Sequence, residues 1–307
     1  MSDKFIGGIK HMYKSKVNFI LPDFTLCLPF YRQLLELRDM YPEMFYENVN
    51  FRAIYGNFDG CIWNGGRTNH GIVFDSITVE SIISTVAYMG IPLRLTFTNP
   101  ILEETDLYDR YGNMILEKAS MFPDNEVLVS TDLMKNYIKS KSNIKLVKSI
   151  VGSRDIDYDP SDDFVMTVLR KHRNNDWDYL KSIPLEHRSK IEILCNEECP
   201  DTCMNSYNCY EQLGRGQLYR DDGFHNCMKK HDLYAYELLS NKFYVSPEMI
   251  NSYLDLGINN FKLSGRGYYM HVVEFVTKYL IKPEYQMDVR LKAFLTYTDN
   301  FQGGRSK

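Results

Sequence analysis

The sequence predicts a single parallel α/β domain closed into a barrel. Short apolar runs alternate with longer amphipathic ones along all 307 residues, eight of the short runs read as strands, and no linker, repeat or low-complexity tract divides the chain. Strands separated by helices need crossover connections, which are right-handed and leave the strands parallel. Eight such units close naturally into a (β/α)8 barrel of the TIM type, where about 250 residues or more is ordinary. The alternative arrangement of the same elements is an open, doubly wound sheet. With 44% hydrophobic and 25% charged residues, the composition supports a sizeable core and requires no disordered part.

The elements follow in order. Val17–Pro22 reads as the first strand, and Phe30–Leu37 continues into a helix whose apolar residues recur at three and four. Phe51–Tyr55 is the second strand. After a glycine-rich loop comes a helix from about Thr78 to Tyr88, and Gly90-Ile91-Pro92 leads into a third strand at Leu93–Phe97. Glu126–Ser130, Lys145–Ile150, a weaker Tyr179–Ser182, Ile191–Leu194 and Asn260–Leu263 complete the eight. One excursion stands out. Residues 195–230 form a cysteine-rich insertion between the last two strands, and long excursions inside compact domains are usually functional.

Five of the seven cysteines lie in that insertion: Cys195, Cys199, Cys203, Cys209 and Cys227. A cytosolic thiol cluster at short spacings points to a metal or iron–sulfur ligand set rather than to disulfides. Thiolates suit either zinc or an iron–sulfur cluster. His225 and His231 flank Cys227 and offer a mixed zinc site of three cysteines and one histidine. Cys195 is in phase with Ile191 and Ile193, so it reads as a buried structural thiol.

In a barrel, the loops past the C-terminal ends of the strands build the active face. Here those positions are polar almost throughout. Arg67, Arg154 and Arg266 could hold carboxylate or phosphate groups in bidentate forks. Asn99, beside Pro100, and Asn196 are further substrate-binding candidates, although Asn99 also suits a turn and Ser130 or Thr131 a helix N-cap. Glu197 and Glu198 are the candidate catalytic carboxylates. Trp63–Arg67, with its paired glycines, reads equally as an anion-binding nest or a plain turn.

Other classes are disfavoured. A formal charge of −4 argues against a strong sequence-independent grip on nucleic acid. No run of about eighteen apolar residues and no apolar leader is present, so a soluble, cytoplasmic protein without membrane insertion is expected. No Ser-His-Asp signature, phosphate-binding Gly-Lys-Ser/Thr loop or Rossmann glycine fingerprint occurs.

From Phe243-Tyr244-Val245-Ser246-Pro247-Glu248-Met249 the chain runs through a helix into Leu256-Gly257-Ile258 and a strand ending Lys262-Leu263-Ser264-Gly265-Arg266. This resembles the ending of the collagenase-like peptidase family, numbered U-32 among peptidases, and the match is best over the C-terminal third. The resemblance implies a barrel-like α/β fold and a four-iron four-sulfur cluster held by four cysteines. It implies Cys199 and Cys203 as the close pair, Cys227 as the distant ligand and Cys209 as the fourth. The implied function is an enzyme performing oxygen-independent hydroxylation of a small molecule or an RNA base, or else a peptidase. A partner chain of the same family is also implied. The rival expectation is a zinc-bearing barrel acting as a binding or scaffold subunit. The spacing differs from the Cys-x3-Cys-x2-Cys triplet of radical S-adenosylmethionine enzymes, because five residues separate Cys203 from Cys209.

Overall fold

The computed structural model describes residues 12–66, 71–151, 158–197, 199, 206–219, 241–265 and 269–303. Eight parallel strands follow one another in chain order around a closed barrel. They are β1 (Val17–Pro22), β2 (Val49–Gly56), β3 (Leu93–Phe97), β4 (Glu126–Val129), β5 (Lys145–Lys148), β6 (Met166–Val168), β7 (Ile191–Leu194) and β8 (Asn260–Lys262). Closure is made by β1 and β8, with Asn18 opposite Asn260 and Phe19 opposite Phe261. The parallel barrel expected from the alternation is the observed fold.

The helices are α1 (Leu28–Met40), α2 (Ser76–Tyr88), α3 (Arg110–Ser120), α4 (Asp132–Lys141), α5 (Trp177–Ser182), α6 (Leu185–Arg188), α7 (Ser206–Tyr219), α8 (Ile250–Asp255), α9 (Tyr269–Leu280) and α10 (Gln286–Gly303). Local chemistry starts four of them. Asp75, Asp109, Thr131 and Asp176 each accept a backbone N–H two or three residues into the helix that follows, satisfying one of its orphan donors.

One strand lies elsewhere than expected. Tyr179–Ser182 belongs to α5, where Asp176 caps the helix by accepting from Tyr179 N–H over 3.1 Å. The sixth strand is instead Met166–Val168, which pairs with β5 at Val147 and Lys148 and with β7 at Ile191 and Glu192. Three residues are too few to display a period of two, so that strand leaves almost no pattern in the sequence.

Alternation along the strands divides the apolar residues into two populations. Phe19, Leu95, Val127, Ile193 and Phe261 belong to the large core beneath the helices, whereas Ile20, Ala53 and Tyr55, and separately Leu128, Val147, Met166 and Val168, form small clusters inside the barrel. The lower end of the lumen is closed by asparagines. Asn50 donates to Asn18 over 2.9 Å, Asn18 donates to Asn260 over 3.0 Å, and Asn260 donates to the carbonyls of Ser189 and Ile191. Among the described residues, no helix is long and apolar enough to cross a membrane.

Candidate functional site

Buried charge fills the middle of the barrel. Arg94 on β3 donates from Nε to Glu126 on β4 over 2.8 Å and from Nη1 to Glu192 on β7 over 2.6 Å. Arg52 on β2 is paired with the same Glu126, and Lys262, the last residue of β8, has its Nζ 3.8 Å from Glu192 Oε1. Arg94, Glu126 and Glu192 have no exposed surface. Burial works against the charge on Arg94, but Glu192 and Glu126 outweigh it and raise the guanidinium above its ordinary range. The five groups alternate in sign from Arg52 to Lys262. Among the described residues Glu192 Oε1 accepts no hydrogen bond.

Above this array, at the C-terminal ends of the strands, lies a pocket of about 110 Å³. Its walls combine Thr96, Thr98, Ser149 and Ser264 with Leu128, Val168 and Leu194, and its charged groups are Lys262 and Glu197. Lys262 lies over the Tyr55 ring, 4.1 Å from the centroid, while the Tyr55 hydroxyl donates to the Leu263 carbonyl. Glu197 Oε1 accepts from the Cys199 N–H over 2.9 Å. Tyr210, on α7 of the cysteine-rich excursion, also lines the space. The excursion therefore covers the barrel mouth.

Two asparagines hold that arrangement. Asn99 donates to the carbonyls of Ile62 and Gly214 and accepts from Ile101 N–H, so it ties α7 to the loops after β2 and β3. Gly214 is required at this contact, since a Cβ there would overlap Asn99 Oδ1. Asn196 and Ser264 bond reciprocally: Asn196 donates to the Ser264 carbonyl, and Ser264 donates its N–H to Asn196 Oδ1 and its hydroxyl to the Asn196 carbonyl. This clamp joins the ends of β7 and β8. The structure therefore places Asn99 and Asn196 at the mouth, with their amides bonded to backbone.

Gly65 and Gly66 form the opposite wall, and a Cβ at Gly65 would run into the Thr98 carbonyl. Behind them Asn64 accepts from Gly66 N–H and from the Thr96 hydroxyl, which leaves its own amide nitrogen without a partner among the described residues. Trp63 is buried, donating to the Asp106 carbonyl over 2.8 Å, and Gly112 makes room for its ring. Thr131 is the cap of α4, and the buried Ser130 hydroxyl has no partner among the described residues.

Of the thiols, Cys195 is fully buried in the core beneath the helices, and burial, with Glu192 adding to it, pushes its thiol well up. Cys199 and Cys209 are also buried, and neither forms a disulfide. They neighbour pocket residues in the chain: Cys199 is two residues after Glu197, and Cys209 immediately precedes Tyr210. Among the described residues no group of three histidine, cysteine or acidic side chains is placed to hold a metal ion. Arg67, Arg154, Glu198, Cys203, Cys227 and Arg266, with His225 and His231, lie outside the described residues.

Sequence reasoning missed Lys262, Tyr55 and the Arg94–Glu192 array. Their signal was a single charge in each of three otherwise apolar strands, at Arg94, Glu126 and Glu192. A lone charge in a run expected to be buried on both faces must point into a polar lumen.

No family model matches the sequence, and no curated protein matches it. Among solved structures the chain is similar to the U32 peptidase Mk0906, at 12% identity over 82% of this chain and 94% of that one, with a TM-score of 0.46. It is also similar to the GH113 β-mannanase AaManA from Alicyclobacillus acidocaldarius, at 8% identity over 92% and 96% of the two chains, with a TM-score of 0.43. A third similar structure is a mutant O-GlcNAc hydrolase of Thermobaculum terrenum, at 8% identity over 94% and 64%, with a TM-score of 0.36. These are likenesses of fold, and they assign no activity.

Proposed function

We propose that this protein is an enzyme that modifies a small molecule or an RNA base at the mouth of its barrel, beside a thiol-held 4Fe–4S cluster. The observation that carries the reading is the path of the cysteine-rich excursion. It contributes Glu197 and Tyr210 to the pocket and buries Cys199 and Cys209 next to them in the chain. A buried thiol pair beside a polar pocket is where a soft metal centre could exchange electrons with a bound substrate.

The donor chemistry suits the cluster: Cys199 and Cys209 would be two ligands, with Cys203 and Cys227 completing the four. Such a cluster supplies one-electron transfer. The remaining work falls to the chain itself. Glu197 is held by the Cys199 N–H through one oxygen, which leaves the other to take or give a proton at the substrate, with Glu198 as its neighbour. Arg67, Arg154 and Arg266 would orient the substrate from the loops around the mouth. The Asn196–Ser264 clamp holds the loop bearing Glu197 in place. Oxygen-independent hydroxylation is the reaction this assembly fits, in the cytoplasm, where thiols stay reduced.

A zinc-bearing scaffold is the rival reading, and the bonding of Asn99 and Asn196 to backbone favours it, because two candidate ligand contacts serve the frame instead. Anaerobic purification followed by absorbance and metal analysis separates the two. Iron and acid-labile sulfide in comparable amounts support the enzyme, and stoichiometric zinc without sulfide overturns it.

A further inference from the structure

We infer that the barrel mouth contains an oxyanion site whose anchor is Lys262, and that the bound group is a phosphate or carboxylate belonging to the substrate. The inference rests on the mouth being the substrate site, as proposed above, and is independent of which metal the thiols hold. Three observations lead to it.

The first is the sign of the buried array. Arg52, Arg94 and Lys262 are cations and Glu126 and Glu192 are anions, so three positive charges less two negative leave one positive charge. The alternation places a cation at the end that opens on the pocket. Glu192 is the carboxylate closest to that cation, but its Oε2 is bonded to Arg94 at 2.6 Å, and only Oε1 faces Lys262, beyond hydrogen-bond range. In a site of low dielectric a residual charge of this kind attracts a counter-ion far more strongly than it would at the surface.

The second is the setting of the ammonium. Lys262 is almost fully buried and lines the pocket, between Glu192 and the face of Tyr55. Both neighbours favour a positive charge, which suits an anion anchor rather than a neutral nucleophilic amine. The Tyr55 hydroxyl donates to the Leu263 carbonyl, so the ring is fixed beneath the ammonium.

The third is the company and the size of the space. Hydroxyls of Thr98 and Ser149 share the walls with Lys262, and Glu197 is the opposing charge. A water occupies about 30 Å³ of liquid, so 110 Å³ admits a few waters or one compact oxyanion. Glu197 then faces the part of the substrate that carries a donor, away from the anion. A substrate with an oxyanion at one end and a hydroxyl or amine at the other satisfies both charges.

The test is a titration of the full-length protein with inorganic phosphate, and separately with malonate, at constant ionic strength, followed by calorimetry. Three chains are compared: the parent, Lys262→Met and Lys262→Arg. Thermal melts without ligand establish that each is folded, and iron content is measured in parallel. The parent should bind at least one of the two anions with one-to-one stoichiometry. Whichever binds more tightly identifies the phosphate or the carboxylate class. Lys262→Met should weaken that binding at least tenfold, with iron content unchanged. If Lys262→Met does not fold, Lys262→Arg carries the test: the longer guanidinium displaces the charge from its place over Tyr55 and should shift the Kd at least threefold. Failure of the parent to bind either anion, or a Kd unchanged in every folded variant, overturns the anchor. Loss of iron without loss of anion binding would fault the cluster assignment instead, so the two failures are distinguishable.

Discussion

Arg94 and Glu192 meet across the barrel lumen, 2.6 Å apart, from strands β3 and β7, which lie four places apart in a ring of eight. The pair ties opposite walls together at a point where both side chains are fully buried. Breaking a buried pair by removing one partner typically costs about 3–5 kcal/mol, because a charge is left without compensation. Glu192→Leu should therefore lower stability by about that amount. The double variant Arg94→Leu with Glu192→Leu should lose less than the sum of the two single changes, by about 1–3 kcal/mol. Denaturant unfolding of the four proteins measures this coupling, and strict additivity would contradict the role given to the pair.

Asn99 is expected to act on the excursion rather than on a ligand. Its bonds to Ile62, Gly214 and Ile101 hold α7 over the pocket. Asn99→Ala leaves those buried backbone groups unsatisfied and should cost about 1–3 kcal/mol. Hydrogen exchange should quicken in α7 while the barrel strands keep their protection. Uniformly faster exchange throughout the chain would assign the loss to the barrel instead.

Acid stability should depend on the helix caps. The Thr78 N–H holds the Asp75 carboxyl below its ordinary range, and the Tyr179 N–H, helped by Arg173, does the same for Asp176. A carboxyl lowered in the folded state stabilises at pH values above its unfolded value, about 4, and loses that contribution as pH falls through the folded value. Melting temperature should therefore be nearly flat from pH 7 to 5 in so far as these groups set it, and drop below about 4. Asp75→Asn keeps a capping acceptor and removes the titrating group, so its Tm should fall less between pH 6 and pH 3 than that of the parent. Equal falls in both proteins would show that this cap does not titrate with folding.

Thiol reactivity should separate the cysteines. Burial raises the thiols of Cys27 and Cys195 well above the usual range and that of Cys61 to about 12. At pH 8 in the native protein these three should resist a disulfide reagent and react only on unfolding, since the thiolate is the reactive form. Mass spectrometry of alkylated peptides reads this site by site. Prompt native labelling of Cys195 would contradict its place in the core.

Much of the fold was legible because burial on both faces of a parallel strand writes a continuous apolar run, as in Leu93–Phe97 and Ile191–Leu194. The sixth strand was not, since Met166–Val168 is too short to show a pattern while Tyr179–Ser182, with its apolar pair, imitates one. Cys195 was readable as a core thiol from its phase with Ile191 and Ile193. The lumen was harder. Glu192 is 98 residues from Arg94 in the chain, so their pairing exists only once the barrel closes. Lys262 stood in view within the strand that ends Lys262-Leu263-Ser264-Gly265, but the neighbouring arginine drew the anion-binding assignment to the loop beyond it.

The central claim, a thiol-held cluster beside the barrel mouth, is tested most directly by iron and sulfide content in single cysteine variants purified without oxygen. The parent should carry about four irons and four sulfides per chain. Cys199→Ser, Cys203→Ser, Cys209→Ser and Cys227→Ser should each lose most of both, because a hard hydroxyl replaces a soft thiolate poorly. Cys195→Ser should retain them, since that thiol lies in the hydrophobic core. Full iron in the Cys199 or Cys227 variant, or a parent free of iron and sulfide, would contradict the account.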